Sequence, residues 1–451
     1  MLVERNRILA ETIKRLMRRG ATARLPKIIS KVHAADLPEV FPSLSVTNQQ
    51  KLFQLIHDPE KKALVISELD EDISLNIIES LSLEELAEIM DNMPSDDSVA
   101  FIKMLPQNKA DAVLGMMGKI ESEEVEDLLR YEDDTAGSIM IPDFIALKEN
   151  MTAKDVIDSL QSQEYLDVEM AFYVYVVDKN DRLVGVSSLR QLVVVPSSTP
   201  LYQFMGKEVI SVTTDMDQEE VAKIVARYNI LAVPVVDEDE RMVGIVTVDD
   251  VIDVFREEAT EDILKMAGVG EEFVETKSIV RSTRIRLPWL FASCVGGLIA
   301  SVIIGRFQLS LSKATYLAVF IPVIMGMGGN IGIQSSTIVV RGLATGRLHI
   351  KDIWSSMSKE IAIGFILGSF YGLLVGIVAQ LRYEREFLAL AVGLSVACSM
   401  TLAALSGSMM PMLFARINID PAVATGPFVT TAIDILSVSF YFLIATKLLC
   451  L

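Results

Sequence analysis

The feature that most constrains this chain is a block of five apolar runs that begins after Arg286. Each run is long enough to cross about 30 Å of hydrocarbon. The predicted spans are residues 288–305, 314–340, 361–381, 387–414 and 422–449. Because the preceding sequence is much more polar, we expect an integral membrane protein with a large domain outside the lipid.

The charge of the chain divides at the same place. Residues 281–451 carry 13 Lys and Arg against 6 Asp and Glu, a net charge of +7. Residues 1–280 carry 28 against 54, a net charge of −26. Basic residues are more frequent at the ends of the spans that face this polyanion, so the positive-inside rule predicts a cytoplasmic N-terminal half and an extracytoplasmic C-terminus. We expect a bacterial-type inner (plasma) membrane with lipid contacts, and no nucleic acid partner.

The residue inventory limits the chemistry of any metal site. The chain has three histidines and three cysteines, and Cys294, Cys398 and Cys450 all fall in apolar segments. Zinc and other soft-metal sites draw on imidazole and thiolate, so they are not expected here. The sequence also lacks a P-loop, an activated nucleophile and a convincing acid–base pair, which argues against an enzyme. Binding of hard cations by carboxylates remains open.

One acidic residue, Asp434, falls inside a predicted span. A charged carboxylate at the bilayer centre costs about 2.5–3.5 kcal/mol on insertion scales, so such residues usually face a watery path or a partner. No Lys or Arg lies well inside a span to pair with it. The alternative is a protonated or hydrogen-bonded Asp near a helix end. We favour cation binding.

The second span contains four glycines and a proline between residues 322 and 334. This composition predicts a loosened helix whose backbone carbonyls line a water-filled path. A tightly packed glycine-rich helix is the alternative, and Asn330 and Gln334 favour the path. In the third span Gly364, Gly368, Gly372 and Gly376 recur every four residues, which predicts close helix packing rather than a pore role.

An internal repeat lies between about residues 136 and 255. Asp178 and Gly185 recur as Asp237 and Gly244, each 59 residues later. Each copy predicts short β-branched strands around a turn with flanking helices. The repeat is similar to tandem CBS modules.

The second repeat carries Thr247 and Asp250, which match the usual nucleotide contacts of CBS modules. In that pattern a Thr or Ser binds phosphate and an Asp binds ribose. The matching place in the first repeat has Ser188 and Gln191, so the acid is missing there. Resemblance therefore implies ATP binding at one site and leaves it doubtful at the other.

The sequence PVIMGMGGNIGIQ within residues 319–342, together with GPFVTTAID at 426–434, resembles the MgtE family of magnesium channels. The resemblance covers nearly the whole chain. It implies a multidomain fold with an N-terminal α-helical superhelix, tandem CBS (α+β) modules and a C-terminal all-α membrane domain of five transmembrane helices. It also implies a homodimer in which Asp434 of each subunit holds a largely hydrated Mg²⁺, with further contacts near Gly329 and Asn330.

On this basis we divide the chain into six parts. They are a basic N-terminal segment (1–35), a helical N domain (36–134), two CBS modules (135–197 and 198–256), a connecting, plug-like helix (257–286) and a five-helix pore domain (287–451). The resemblance implies a Mg²⁺-selective channel that cytosolic Mg²⁺ closes by binding to the acidic domains. Two alternatives remain: a secondary-active divalent cation transporter with alternating access, and a membrane-anchored metal or nucleotide sensor.

The resemblance also implies a set of Mg²⁺-sensing acids. Carried onto this sequence, they are Asp217, Glu219, Asp250, Asp253, Glu258, Glu261 and Asp262, with Asp91, Asp96 and Asp97 as further members. The chain departs from the family pattern at Asn229, where an acid is expected. One regulatory site is therefore expected to be weaker or differently built.

Overall fold

The structure is a computed structural model that describes residues 2–161, 173–269, 279–348 and 353–450. The chain forms two compact units, Met1–Arg256 and Glu257–Leu451. Each unit is described by itself below.

The first unit begins with a domain of short helices. They are α1 (Leu2–Arg18), α2 (Leu25–Ile29), α3 (Val46–Gln54), α4 (Pro59–Ser67), α5 (Glu71–Ile78), α6 (Leu83–Met90), α7 (Ser95–Met104), α8 (Gln107–Leu114) and α9 (Lys119–Leu128). Several helices pack against the helix two places further on, as α4 does on α6 and α6 on α8. This pattern is the predicted superhelix. The basic helix α1 belongs to it, because Ile13 and Met17 are buried in the same core.

The internal repeat forms two three-stranded sheets with the same topology. The strands are β1 (Ala146–Lys148), β2 (Tyr173–Val177), β3 (Leu183–Ser188), β4 (Val212–Thr213), β5 (Ala232–Val236) and β6 (Met242–Thr247). In each sheet the first pair is parallel and the second antiparallel. Both antiparallel pairs shift register at equivalent places, after Val176 and after Val235. The tandem CBS prediction is confirmed at the level of the fold.

In the part of the repeat that the structure describes, five helices accompany these sheets. They are α10 (Ala153–Leu160), α11 (Leu189–Val194), α12 (Leu201–Phe204), α13 (Gln218–Tyr228) and α14 (Val248–Met266). The last of them differs from the connecting helix predicted at 257–286. It ends at Met266, and Gly268 follows with φ +73°, a left-handed conformation that glycine adopts without strain. Residues 279–286 form the beginning of the next helix instead, and 270–278 lie outside the described residues.

Among its described residues, the second unit contains five helices that are long and apolar enough to span a membrane, as predicted. Its helices are α15 (Ile279–Arg306), α16 (Gln308–Lys313), α17 (Ile321–Ala344), α18 (Ile353–Tyr383), α19 (Leu388–Arg416), α20 (Pro421–Thr425) and α21 (Pro427–Leu448). Helix α19 is central and packs against α17, α18 and α21. Helix α21 also packs against α15 and α17.

The glycine stripe of α18 lies against α19. A Cβ atom at Gly368 would stand 2.8 Å from the carbonyl oxygen of Ala397, and one at Gly372 would collide with the carbonyl oxygen of Gly393. The two backbones therefore approach more closely than any side chain permits. The prediction that this stripe serves helix packing is confirmed.

The glycine-rich segment of the second span is helical, so the predicted loosened backbone is wrong. Helix α17 runs without interruption from Ile321 to Ala344. A Cβ at Gly332 would force the end of the Ile433 side chain of α21 to shift, and a Cβ at Gly328 would stand 2.7 Å from the Ser437 hydroxyl. The glycines admit neighbouring helices, and the packing gained outweighs their low helix propensity.

Candidate functional site

The membrane-embedded Asp434 lies on α21, a helix that packs against the glycine-rich helix α17. The preceding residue, Ile433, is fully buried and packs on Gly328 and Gly332. This contact puts Asp434 at the same level along the helices as Gly329 and Asn330. A Cβ built at Gly329 would meet no atom within 4 Å, and Asn330 is exposed in the single chain. Polar groups of α17 and α21 therefore share one level of the membrane domain.

The carboxylate of Asp434 is partly accessible. Within the described part of the chain it forms no hydrogen bond or ion pair, in contrast to the buried hydroxyls of Ser399 and Ser437, which are 2.6 Å apart. A carboxylate in this setting needs water or a cation to compensate its charge. Among the described residues, Asp434 is therefore not hydrogen-bonded within the protein, which was the alternative reading of the sequence.

Sequence reasoning missed a second acidic residue in the membrane helices. Glu360 lies in α18 and is 6% exposed. The predicted third span started at residue 361, because Lys359 and Glu360 ended the apolar run, whereas the helix starts at Ile353. The statement that Asp434 is the only acid within a span is therefore corrected. The helical periodicity of the third span could have predicted the burial of Glu360, since this residue lies four positions before Gly364 and therefore on the same face of α18.

Four of the predicted sensing acids meet in the first unit. Asp96 and Asp97 lie in the first turn of α7, and Asp250 and Asp253 lie on α14. Burial raises the pKa of Asp97 to about 6, and the charges of Asp250, Glu68 and Asp253 add to the rise. Burial raises the pKa of Asp250 to about 6 as well, although a hydrogen bond from Thr247 opposes the rise. The helical domain thus meets the second CBS module through mutually repelling carboxylates.

Asp96 has the least favourable surroundings in this acidic cluster (Asp96, Asp97, Asp250 and Asp253). Burial raises its pKa well above the usual range, and repulsion by Asp250 and Asp97 contributes. Its Oδ1 atom is buried without a hydrogen-bond partner. Among the residues that the structure describes, no three carboxylate, imidazole or thiolate groups converge closely enough to hold a metal ion. The carboxylates of the cluster are suitable ligands for a hard cation, but they do not lie close enough together in this structure to hold one.

Three other predicted sensing acids make local contacts. Asp91 accepts a hydrogen bond from the backbone N–H of Gly118 at 2.9 Å. Asp217 caps α13 by accepting from the N–H of Glu219 at 2.9 Å, and Glu219 in turn pairs with Lys223 at 2.8 Å. Helix capping and an i, i+4 pair explain the last two residues without a metal.

Asn229 stands where an acid was expected, and the backbone gives a reason for an amide there. It ends α13 with φ +52° and ψ +45°, a left-handed conformation that Asn adopts more readily than most residues. It also lines a cavity of about 330 Å³ with Leu231, Ile252 and Phe255.

The acids of the connecting region lie on the second half of α14. Glu258 and Asp262 have partners of their own. Glu261 pairs with Lys265, whose Nζ also lies 2.7 Å from Asp420 in the segment before α20. Burial lowers the pKa of Lys265, but its hydrogen bonds with Asp420 and Glu261 outweigh burial and raise it. Within the second unit, α14 is thereby tied to the segment that leads into α21.

The predicted nucleotide residues Thr247 and Asp250 contact each other. The Thr247 hydroxyl and its backbone N–H both donate to Asp250 Oδ2, at the start of α14. The first repeat has the same arrangement, because the backbone N–H of Ser188 donates to Gln191 Oε1 at 3.0 Å. These residues act as helix caps in both repeats. Only the second cap carries an acid.

The raised pKa values predict a pH dependence of stability in the absence of divalent cations. For Asp97 and Asp250 the folded value of about 6 exceeds the ordinary 3.8, so protonation favours the folded state. This stabilisation is complete below pH 3.8 and is lost as the pH rises through 6. The shift corresponds to on the order of 3 kcal/mol for Asp97. We expect the unfolding temperature to fall by about 5 °C or more between pH 5 and pH 8.

Differential scanning fluorimetry of the full chain in detergent with EDTA measures this effect. The variant Asp96→Asn/Asp97→Asn/Asp250→Asn serves as the control and is expected to lose most of the pH dependence. A native profile that matches the variant between pH 5 and pH 8 contradicts the prediction.

Comparison with known proteins places these features in a family. Residues 321–444 match the MgtE family, described as a divalent cation transporter, and residues 32–134 match the MgtE intracellular N domain. Residues 136–200 and 201–257 match CBS domains. The magnesium transporter MgtE of Thermus thermophilus is 34% identical over 98% of both chains, and that of Enterococcus faecalis is 40% identical over 72% of both.

The solved cytosolic domain of the Mg²⁺ channel MgtE in complex with ATP is also similar. It covers 54% of this chain and 99% of its own, with 34% identity and a TM-score of 0.51. The fold and the site thus define a membrane protein with five spanning helices, a CBS pair and a helical N-terminal domain. The chain belongs to the MgtE family. This is a family of transporters rather than of enzymes.

Proposed function

We propose that this protein is a Mg²⁺-selective channel for magnesium uptake, which cytosolic Mg²⁺ closes by binding to its acidic domains. One observation carries the proposal: within the described residues, the Asp434 carboxylate has no hydrogen-bond or ion-pair partner, and it lies at the same level of the membrane domain as Gly329 and Asn330 of a neighbouring helix. The curated relatives are magnesium transporters that match the chain nearly end to end.

The chemistry of Asp434 suits Mg²⁺. This ion is small, gives up its water reluctantly and prefers one or two carboxylates with several retained waters. In a homodimer, two Asp434 side chains at a shared pathway would neutralise one divalent ion. Contact through retained water is weak enough to let the ion leave, as conduction requires.

Because α17 is an intact helix, it offers fewer free oxygen ligands to an ion than a broken helix would. Its carbonyls already accept helical hydrogen bonds, so Gly329 offers only a second lone pair and an open surface. The Asn330 side chain is exposed at the same level and can accept from or donate to water of the hydrated ion. We assign Asn330 and Gly329 to the wall of the pathway and Asp434 to the ion site.

The acidic cluster supports regulation by the same ion. Asp96 and Asp97 belong to the helical domain, and Asp250 and Asp253 belong to the end of the CBS pair. Bound Mg²⁺ would offset their repulsion and hold the two domains together. Closure follows if the closed state binds Mg²⁺ more tightly than the open state. Glu258, Glu261 and Asp262 are assigned to the same response on α14, and Asp91, Asp217 and Glu219 to peripheral positions.

ATP is proposed as a ligand of the second CBS module. The related cytosolic domain was solved with ATP, and here Thr247 and Asp250 would contact phosphate and ribose. Because Asp250 also belongs to the acidic cluster, nucleotide and Mg²⁺ would compete for or share its carboxylate. We further propose the bacterial inner membrane, with the acidic half in the cytoplasm and the C-terminus outside.

Reconstitution in vesicles tests the proposed transport. Purified protein in liposomes that enclose a fluorescent Mg²⁺ indicator is expected to admit external Mg²⁺ much faster than protein-free liposomes. The flux is expected to fall when Mg²⁺ is raised on the side of the soluble domains. Uptake no faster than in protein-free liposomes, in preparations shown to be folded and inserted, contradicts the proposal.

A further inference from the structure

Glu360 is a buried ionisable residue to which the proposed function assigns no role. It lies in α18 and is 6% exposed. Ionisable side chains within membrane helices are costly and usually functional. Glu360 is also separate from the candidate ion site, which lies on α17 and α21.

The carboxylate of Glu360 joins two helices. Its Oε2 atom accepts a hydrogen bond of 2.7 Å from the hydroxyl of Ser335 on α17. Ser335 is 1% exposed, so this contact is sealed from water. Hydrogen bonds from a hydroxyl to a carboxylate are stronger than those between neutral groups. This bond ties α18 to the helix that carries Gly329 and Asn330.

The next residue of α17 makes a second buried contact in another direction. The hydroxyl of Ser336 lies 2.8 Å from the hydroxyl of Thr425 in α20, and both residues are buried. Thr425 precedes the Gly426–Pro427 corner at which α21 begins. Successive residues of a helix point about 100° apart. The two contacts therefore hold α17 from two sides and fix its rotation about its own axis.

The rotation of α17 bears directly on the candidate ion site. Asn330 precedes Ser335 by five residues, about 7.5 Å along the helix. A turn of α17 at Ser335 therefore turns Asn330 and Gly329 relative to Asp434. On the face of α17 that also carries Ser335 and Ser336, Gly332 is packed directly against the side chain of Ile433, so the helix has little room to turn.

We propose that Glu360 is a positioning residue for transport. Its hydrogen bond with Ser335 sets the rotation of α17 and thereby fixes where Gly329 and Asn330 stand relative to α21, the helix that carries Asp434. This inference rests on the proposed transport through the α17–α21 site. A carboxylate suits the role because a weaker acceptor would hold Ser335 less firmly. The role requires an oxygen atom that accepts the hydrogen bond of Ser335, so an amide of the same shape should retain most of the transport activity.

The test compares four variants in vesicles, with Mg²⁺ and Co²⁺ flux measured on the same preparations. They are Glu360→Met, Glu360→Gln, Ser335→Ala and the double variant Glu360→Met/Ser335→Ala. Ser358→Ala, at an exposed position near the start of α18, is the matched control. We expect Glu360→Met and Ser335→Ala each to lower Mg²⁺ flux by about tenfold, since misplacement of an ion contact by a fraction of an ångström is costly.

The double variant is expected to resemble the worse single variant, because both substitutions remove one shared bond. Glu360→Gln is expected to stay within about threefold of the native flux, since an amide oxygen also accepts from a hydroxyl. The decisive readout is the ratio of Co²⁺ to Mg²⁺ flux. A shifted Asn330 alters this ratio, whereas a mere loss of folded protein lowers both fluxes equally.

Native flux and a native ratio in Ser335→Ala and Glu360→Met overturn the inference while the proposed function stands. Equal loss in Glu360→Gln and Glu360→Met also overturns it, because the charge rather than the acceptor would then be required. Loss of both fluxes with an unchanged ratio assigns Glu360 to stability alone and overturns it too. Absence of Mg²⁺ flux in the native protein overturns the proposed function and this inference together.

Discussion

The substitution Asp434→Asn is expected to lower Mg²⁺ flux by about 100-fold. Hydrogen bonds to a charged group contribute about 1.5–3 kcal/mol, against about half of that for a neutral acceptor. In the proposed homodimer each subunit supplies one carboxylate, so the ion would lose on the order of 3 kcal/mol, and each 1.4 kcal/mol is a factor of ten. The amide has nearly the shape of the carboxylate, so the packing of Ile433 against α17 should be unchanged.

Liposome uptake with a fluorescent Mg²⁺ indicator measures this loss. Ser439→Ala is the matched control on α21, since its hydroxyl only bonds to the carbonyl of Ile435 in the preceding turn. Native flux in Asp434→Asn contradicts the assignment of the ion site. A comparable loss in Ser439→Ala indicates a general sensitivity of α21 rather than a specific role of the carboxylate.

The second large effect is expected from the acidic cluster. In the triple variant Asp96→Asn/Asp97→Asn/Asp250→Asn, flux should depend far less on cytosolic Mg²⁺ than in the native protein. Amides do not repel one another at low Mg²⁺, and they do not attract the ion at high Mg²⁺. The opening at low Mg²⁺ and the closure at high Mg²⁺ should therefore both weaken. Asn at position 250 keeps an acceptor for Thr247, and the cap of α14 is retained.

Flux titrated against Mg²⁺ on the side of the soluble domains measures this change. We expect the ratio of flux at low and high Mg²⁺ to fall toward one, with the midpoint moved by about tenfold, or 1.4 kcal/mol of coupling. The control variant Glu126→Gln/Asp158→Asn/Asp239→Asn removes the same charge from exposed positions of the same unit. An unchanged titration in the cluster variant, or an equal change in the control, contradicts a sensing role.

The architecture could be predicted because its signals are local in the sequence. The five spans follow from hydropathy, and the two sheets follow from a repeat whose offset of 59 residues recurs in the structure, from Tyr173 to Ala232 and from Ser188 to Thr247. The helical domain was predicted from the family resemblance, and Pro94 and Pro106 separate some of its short helices. Both prolines stand immediately before a helix.

The candidate site was harder to predict because its properties depend on neighbours. Glycine in α17 lowers helix propensity, but the effect is overridden once Ile433 and Ser437 fill the space. Glu360 escaped notice because Lys359 and Glu360 themselves ended the apolar run. The meeting of Asp97 with Asp250 joins residues more than 150 positions apart, and only the family resemblance suggested it.

Unitary current recording in planar bilayers tests the central claim most directly, namely that a hydrated Mg²⁺ passes Asp434 through a continuous pathway. With Mg²⁺ as the only permeant cation, the native protein is expected to give discrete openings that become rarer as Mg²⁺ rises on the side of the soluble domains. Asp434→Asn should give none. Vesicle uptake of Mg²⁺ by the native protein without any unitary current would instead favour alternating access and contradict the channel.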